Sequence, residues 1–291
     1  MGTAMPHAAE VVTRTAYAQC WNSPSDTVHD VARTFDLETW LREQCAQYKF
    51  ELGGVYQVEG TNTYPLVANN ESELRDQLDS GGHLLPLPKE SAALANVLEV
   101  SIVAFIRSRI STVADADITL GTERGYPDIE ISGDAFGGGF HAVDIKAARR
   151  AMSSSPKKAG QALNSTNSAI TLYTGNTYFR HPKHHFSTTL RPFADYRSHL
   201  DVIAIYTLDL DLPERVKDLE LIVQQPWKIA SKQRSSTTRE YIGAVKNIDA
   251  IRDGRGAFST PEEFYSFWRS YKFKTARVVE QMFEKMTSDD T

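Results

Sequence analysis

Cysteine is nearly absent. Cys20 and Cys45 are the two in the chain, and no Cys-x-x-Cys pair occurs. A disulfide framework or a cysteine zinc site is therefore not expected, and a reducing cytoplasm fits such sparing use. Apolar residues nowhere run on to the length of a membrane span, so no membrane partner is expected. The opening Met-Gly-Thr-Ala-Met-Pro has no basic stretch followed by an apolar core, so no secretory leader is expected.

Carboxylates are missing from one region. Residues 145–194 contain no Asp or Glu, but they carry Lys146, Arg149, Arg150, Lys157, Lys158, Arg180, Lys183 and Arg191. Residues 1–99 are the reverse, with 14 acids and 6 bases. The overall charge of −5 argues against a polyanionic partner. The acid-free region argues for one, unless it is only a solvated basic loop. What is plentiful is apolar side chain: 41% of 291 residues, with 10% aromatic, enough for one large domain or two small ones.

The stretch Gly125–Lys146 reads as two short strands joined by a glycine bend. Ile129 and Ile131 alternate with Glu130, Gly137 to Gly139 supply the turn, and Phe140, Ala142 and Val143 lead into the second strand. Residues two apart on a strand share a face, so Asp144 and Lys146 point the same way and Ile145 points inward. Asp128 opens the first strand after Pro127, whose ring restricts the backbone. A hairpin would bring Asp128, Asp144 and Lys146 to one end of one sheet. Two carboxylates at one point repel unless a cation separates them, and hard oxygen donors on a half-open site suit magnesium. A lysine beside them can orient or deprotonate a water, or stabilise developing negative charge. This is the logic of metal-assisted phosphodiester hydrolysis. The alternative is a polar hairpin with a surface ion pair between Asp144 and Lys146.

Residues 1–35 show no period and are expected to form a weakly ordered extension. Leu37, Trp40, Leu41, Cys45 and Tyr48 fall on one helical face, with Asp36 as N-cap. Residues 53–66 read as a strand or hairpin, and 69–88 as a surface helix and loop. Residues 91–110 form the most apolar helix, with a stripe of Leu94, Val97, Leu98, Ile102 and Phe105. Glu99 interrupts it, either reaching solvent at the edge or supplying a third carboxylate under the hairpin. Residues 161–190 are rich in Ser, Thr, Asn and His, side chains that suit phosphate and sugar. His181-Pro-Lys-His-His185 has no evident fourth ligand for zinc, and Lys183 opposes a cation there. Residues 200–208 and 219–223 read as buried strands. Ser231–Tyr241 reads as a polar loop, either exposed or able to read base edges. Thr260-Pro-Glu-Glu263 is a capping box that opens a C-terminal helix to about residue 286, with Phe264, Phe267, Trp268 and Tyr271 as core.

The residues resemble the EcoRV-type restriction endonucleases, within the PD-(D/E)xK nucleases. The likeness rests on Tyr126-Pro-Asp128 and Val143-Asp-Ile-Lys146, with Asp144 16 positions after Asp128 and Glu99 29 positions before it. It extends to Gly53-Gly-Val-Tyr56, Tyr64-Pro-Leu66, Thr171-Leu172, Tyr206-Thr207, Trp227-Lys-Ile-Ala230, Ile242-Gly243 and Phe258 through Tyr271. Residues from about 36 to 275 are covered, apart from 67–88.

The resemblance implies an α/β fold: a restriction-endonuclease-like core with a mixed central sheet flanked by helices, and a DNA-recognition subdomain. Residues 36–291 would form one such domain, with the catalytic core at about 90–150 and DNA recognition at about 160–260. Asp128 and Asp144 would ligate Mg2+, which Mn2+ can replace, Glu99 would assist, and Lys146 would act on the water or the developing charge. Ser235, Ser236, Thr237, Thr238, Arg239 and Tyr241, with Arg234 and Lys183, would contact DNA in the major groove or at phosphates. Glu123 and Arg124 would lie in a minor-groove loop. These two loops depart from the family pattern, as do Ala147 and Ala148 where it has threonines, so the target sequence does not carry over. The implied protein is a homodimer that cuts duplex DNA at a short palindrome, leaving 5′-phosphates and blunt ends. It would work in a prokaryotic cytoplasm within a restriction-modification system, beside a cognate DNA methyltransferase. A repair or junction-resolving nuclease of the same superfamily, and a non-catalytic DNA-binding protein, are the alternatives.

Overall fold

Alternating apolar residues and a glycine bend fold the centre of the chain back on itself. A computed structural model describes residues 34–50, 70, 72, 76, 91–122, 125–212 and 215–273. In chain order the elements are α1 (Leu37–Cys45), α2 (Ser91–Ile110), β1 (Asp117–Leu120), β2 (Ile129–Ser132), β3 (Phe140–Met152), β4 (Ala162–Thr166) and β5 (Thr171–Thr174). There follow β6 (Ser198–Leu208), β7 (Val216–Gln224), α3 (Pro226–Ile229), β8 (Ala230–Arg234), β9 (Tyr241–Ala244), α4 (Ile248–Arg252) and α5 (Pro261–Ser270). The expectations for residues 1–33, 53–66, most of 69–88 and the chain beyond 273 fall outside the described residues.

The central hairpin pairs Ile129 with Val143 and Ser132 with Phe140. Its bend is a 3-10 turn, Asp134–Phe136, followed by Gly137, Gly138 and Gly139 at φ of +78°, +72° and +77°. Three successive left-handed residues are accessible only to glycine without strain. The sheet runs β1-β2-β3-β6-β7, with β4 added at the far end of β3. Pairing is antiparallel except between β3 and β6, which run parallel. This is the expected mixed central sheet.

Each face of the sheet has its own cover. Val143, Ile145, Leu200, Val202 and Ala204 face a cluster with Leu41 and Trp40 of α1 and Ile102, Ile106 and Ile110 of α2. Ala142, Ala148, Ile203 and Ile205 face a larger cluster with Tyr126, Tyr173, Phe179, Phe193, Ile229 and Trp268. A second, three-stranded sheet, β5-β9-β8, and α5 contribute to that side. Burying each such Leu or Ile contributes roughly 1.5–3 kcal/mol relative to exposure.

Helix starts follow the sequence. Asp36 accepts a hydrogen bond from the Thr39 amide at 2.9 Å and caps α1, and Thr260 accepts from Glu263 N–H at 3.2 Å and caps α5. Phe35, placed by the sequence in the extension, belongs to the fold: its N–H donates to Ala135 O at 2.7 Å. The buried stripe of α2 is Leu94, Leu98, Ile102, Ile106 and Ile110. Phe105 is displaced to the edge, where its ring meets Tyr48 at 5.2 Å. α5 ends at Ser270, where Tyr271 is extended and Tyr271 and Phe273 pack against Trp268; the expected stretch toward 286 lies outside the described residues. The expected loop at 231–241 begins as strand β8, which pairs with β9, and only 235–240 form its tip. No helix among the described residues is long and apolar enough to cross a membrane.

Candidate active site

β2 ends its pairing with β3 at Val143, and β4 takes up pairing at Arg150. Between them one edge of β3 is uncovered. Alternation turns the backbone groups of residues 145, 147 and 149 toward that edge, and buried backbone groups need partners. Ile145 N–H donates to Asp128 Oδ2 at 2.5 Å, Ala147 N–H donates to Glu99 Oε1 at 3.0 Å, and Asn167 N–H donates to Arg149 O at 2.8 Å. Two carboxylates thus stand where a neighbouring strand would otherwise pair. Of the two positions the sequence allows for Glu99, the structure takes the one at the hairpin.

Asp144 and Lys146 share a face, as alternation requires, and the Lys146 ammonium donates to Asp144 Oδ2. Their side chains are only 14% and 13% exposed, so this is not a solvated surface pair. The four residues expected to carry the chemistry are therefore gathered at one open strand edge. Beside them lies a cleft of about 400 Å³, lined by Glu99, Lys146, Arg149, Asn167, Ser168 and Thr171 among others.

The electrostatics are those of crowded acids around one cation. Burial, then the neighbouring Asp144 carboxylate, pushes the Asp128 carboxyl up to about 8. Burial also raises Glu99. For Lys146, burial alone would depress the ammonium, but Asp144, Asp201 and Asp128 outweigh it and hold its pKa above the ordinary value.

Asp201 is the residue that the sequence reading passes over. It lies on β6, paired in parallel register with Asp144, and is fully buried. Neither of its carboxyl oxygens has a hydrogen-bond partner among the described residues. Its one local signal is a lone acid in an otherwise apolar run, Leu200 to Ile205. Nearby, Tyr126 Oη and His199 Nδ1 lie 2.7 Å apart, and burial pushes His199 down to about 3, so that imidazole is neutral.

The residues expected to contact DNA are more scattered. Ser235, Ser236, Thr237, Thr238 and Arg239 form the tip of the β8–β9 hairpin, with Arg234 and Tyr241 at its base. Ser236 Oγ accepts from the amides of Thr238 and Arg239. Thr171 and Ser235 hydroxyls lie 2.7 Å apart, which ties the tip to a residue of the cleft. Lys183 is exposed in the turn after β5, where His185 Nε2 lies 3.0 Å from Thr189 O. Glu123 and Arg124 fall outside the described residues.

No group of three Asp, Glu, His or Cys side chains among the described residues is arranged to hold a metal as it stands. The donor set nonetheless fits magnesium. Asp128 and Asp144 are oxygen donors whose mutual repulsion a divalent ion would relieve, and magnesium completes its shell with waters and phosphate oxygens.

The family described as restriction endonuclease EcoRV matches residues 68–288, well over half of the chain. None of the curated proteins compared with it matches.

Proposed function

The chain belongs to the EcoRV family of restriction endonucleases, and from that premise we propose that it is a magnesium-dependent, homodimeric type II enzyme. It hydrolyses both strands of duplex DNA at a short palindrome. The observation that carries this reading is the uncovered edge of β3, where Asp128, Asp144, Glu99 and Lys146 meet beside a polar cleft.

Asp128 and Asp144 would hold Mg2+ or Mn2+, with Glu99 assisting, and the ion would supply charge neutralisation at phosphorus and a more acidic water. The chain's own groups do the rest. Arg149, Asn167, Ser168 and Thr171 offer the cleft's contacts to the phosphate backbone. Lys146, charged and fixed on the strand, stabilises negative charge as water attacks phosphorus and the P–O3′ bond breaks. The attacking water gives up a proton to solvent and its oxygen joins the 5′-phosphate, and the departing 3′-oxygen takes up a proton to become the 3′-hydroxyl.

Recognition falls to the β8–β9 tip in the major groove and the loop around Glu123 and Arg124 in the minor groove. The Thr171–Ser235 contact gives a path by which base reading sets the cleft. Two-fold symmetry of protein and target go together. Blunt ends, and a methyltransferase partner protecting the same site, complete the proposal.

The test is digestion of a plasmid of known sequence in magnesium, followed by sequencing of the ends. Discrete fragments with a common palindrome are expected. Cutting only at mismatches or junctions would make it a repair or junction-resolving nuclease. Binding without cutting in magnesium and manganese would make it a non-catalytic DNA-binding protein.

A further inference from the structure

Asp201 has no place in the mechanism above, yet it is built into the site. β3 and β6 are parallel, and Asp144 is directly opposite Asp201. Side chains in register on neighbouring strands stand on the same face, about 4.8 Å apart. Lys146, two residues beyond Asp144, therefore stands on that face too, and its position opposite on β6 is the apolar Ile203. Asp201 is 0% exposed and both its oxygens are without partners among the described residues. Burial raises its carboxyl well above the ordinary range, Asp144 and Asp128 raise it further, and Lys146 is the one group that acts to keep it ionised. A carboxyl so placed carries charge only beside a positive partner.

Lys146 at present donates to Asp144 Oδ2. A divalent ion on Asp144 would compete with the ammonium for that carboxylate's negative charge. The ammonium has three donors, so it can turn toward a second acceptor as well. We propose that Asp201 is a positioning residue for Lys146, holding the ammonium in the site once Asp144 is engaged by a divalent cation. This rests on the nuclease reading above.

The test uses the full chain. Lysine acetylation is followed by mass spectrometry with and without calcium, a hard cation used here to occupy the site. In the wild type, Lys146 labelling should stay low in both states. In Asp201→Asn it should stay low without calcium and rise at least five-fold with it. In magnesium, Asp201→Asn should lower the single-turnover rate 10- to 100-fold and leave DNA affinity unchanged. Asparagine has the shape of a protonated aspartic acid, so a purely structural Asp201 predicts no loss of rate. A full rate, or labelling of the variant equal to the wild type, overturns the proposal. So does calcium-induced labelling in the wild type, a measurement that stands even if the variant does not fold. Should Asp144→Ala abolish cleavage while Asp201→Asn cleaves normally, this inference alone fails. If the wild type neither binds a divalent ion nor cuts, the nuclease reading fails and this one with it.

Discussion

Glu99 of α2 and Ala147 of β3 are joined by a 3.0 Å hydrogen bond from the Ala147 amide to the Glu99 carboxylate. The bond lies one residue beyond Lys146, on the uncovered edge of the strand. It gives Glu99 two separable duties: backbone acceptor and negative charge. Glu99→Ala strands the Ala147 amide and should cost roughly 1–3 kcal/mol of stability. Glu99→Gln keeps an acceptor and should melt near the wild type, yet cleave more slowly. Thermal melts and single-turnover rates on the same preparations separate the two. A Gln variant with full activity would show that the charge is not used.

Asp144 and Lys146 should be needed for cleavage and not for binding. Asp144→Ala and Lys146→Ala are each expected to lower the rate by about 10²–10³-fold or more. DNA affinity, measured by gel shift without divalent ions, should be kept or improved for Asp144→Ala, since a negative charge near phosphate is removed. Cleavage unaffected by Asp144→Ala would place the chemistry elsewhere.

Asp128 ties stability to pH. Its carboxyl is pushed up to about 8 in the fold, whereas in the unfolded chain it ionises near 4. Between those values the folded protein holds the extra proton. Its contribution is therefore fully present below about pH 4 and is lost as pH rises toward 8. Melting temperatures in EDTA should fall over this window, less steeply for Asp128→Asn. Magnesium should raise the melting temperature more at pH 8.5 than at pH 6. A magnesium effect independent of pH would mean that Asp128 carries no such penalty.

Arg239 is exposed at the hairpin tip, where its Nη1 donates to Tyr241 Oη at 2.8 Å. An arginine held this way is ready to read a guanine edge. Arg239→Ala should weaken binding to the cognate site by ~1–3 kcal/mol and affect unrelated DNA much less. Equal weakening on both, measured at one salt concentration, would assign Arg239 to the phosphates.

Much of the site was readable along the chain because it depends on local geometry. Asp144 and Lys146 share a face wherever the strand lies, since β-strands alternate. Asp36 and Thr260 cap helices because each offers a side-chain oxygen to an amide three residues on. The glycines at 137–139 announce a bend because few other residues accept its backbone angles. The polar stretch from Ser231 has the composition of a loop, and pairing with β9 overrides it. Ile106 and Ile110 entered the core only once α2 had a sheet to lie against. Above all, the setting of Asp201 could not be read from its neighbours. Which residue of β6 lies beside Asp144 depends on the register of two strands far apart in the chain. Where β2 stops and β4 begins decides which edge of β3 stays open. Register and strand ends are settled by how the whole sheet packs against its two cores, and no local pattern carries them.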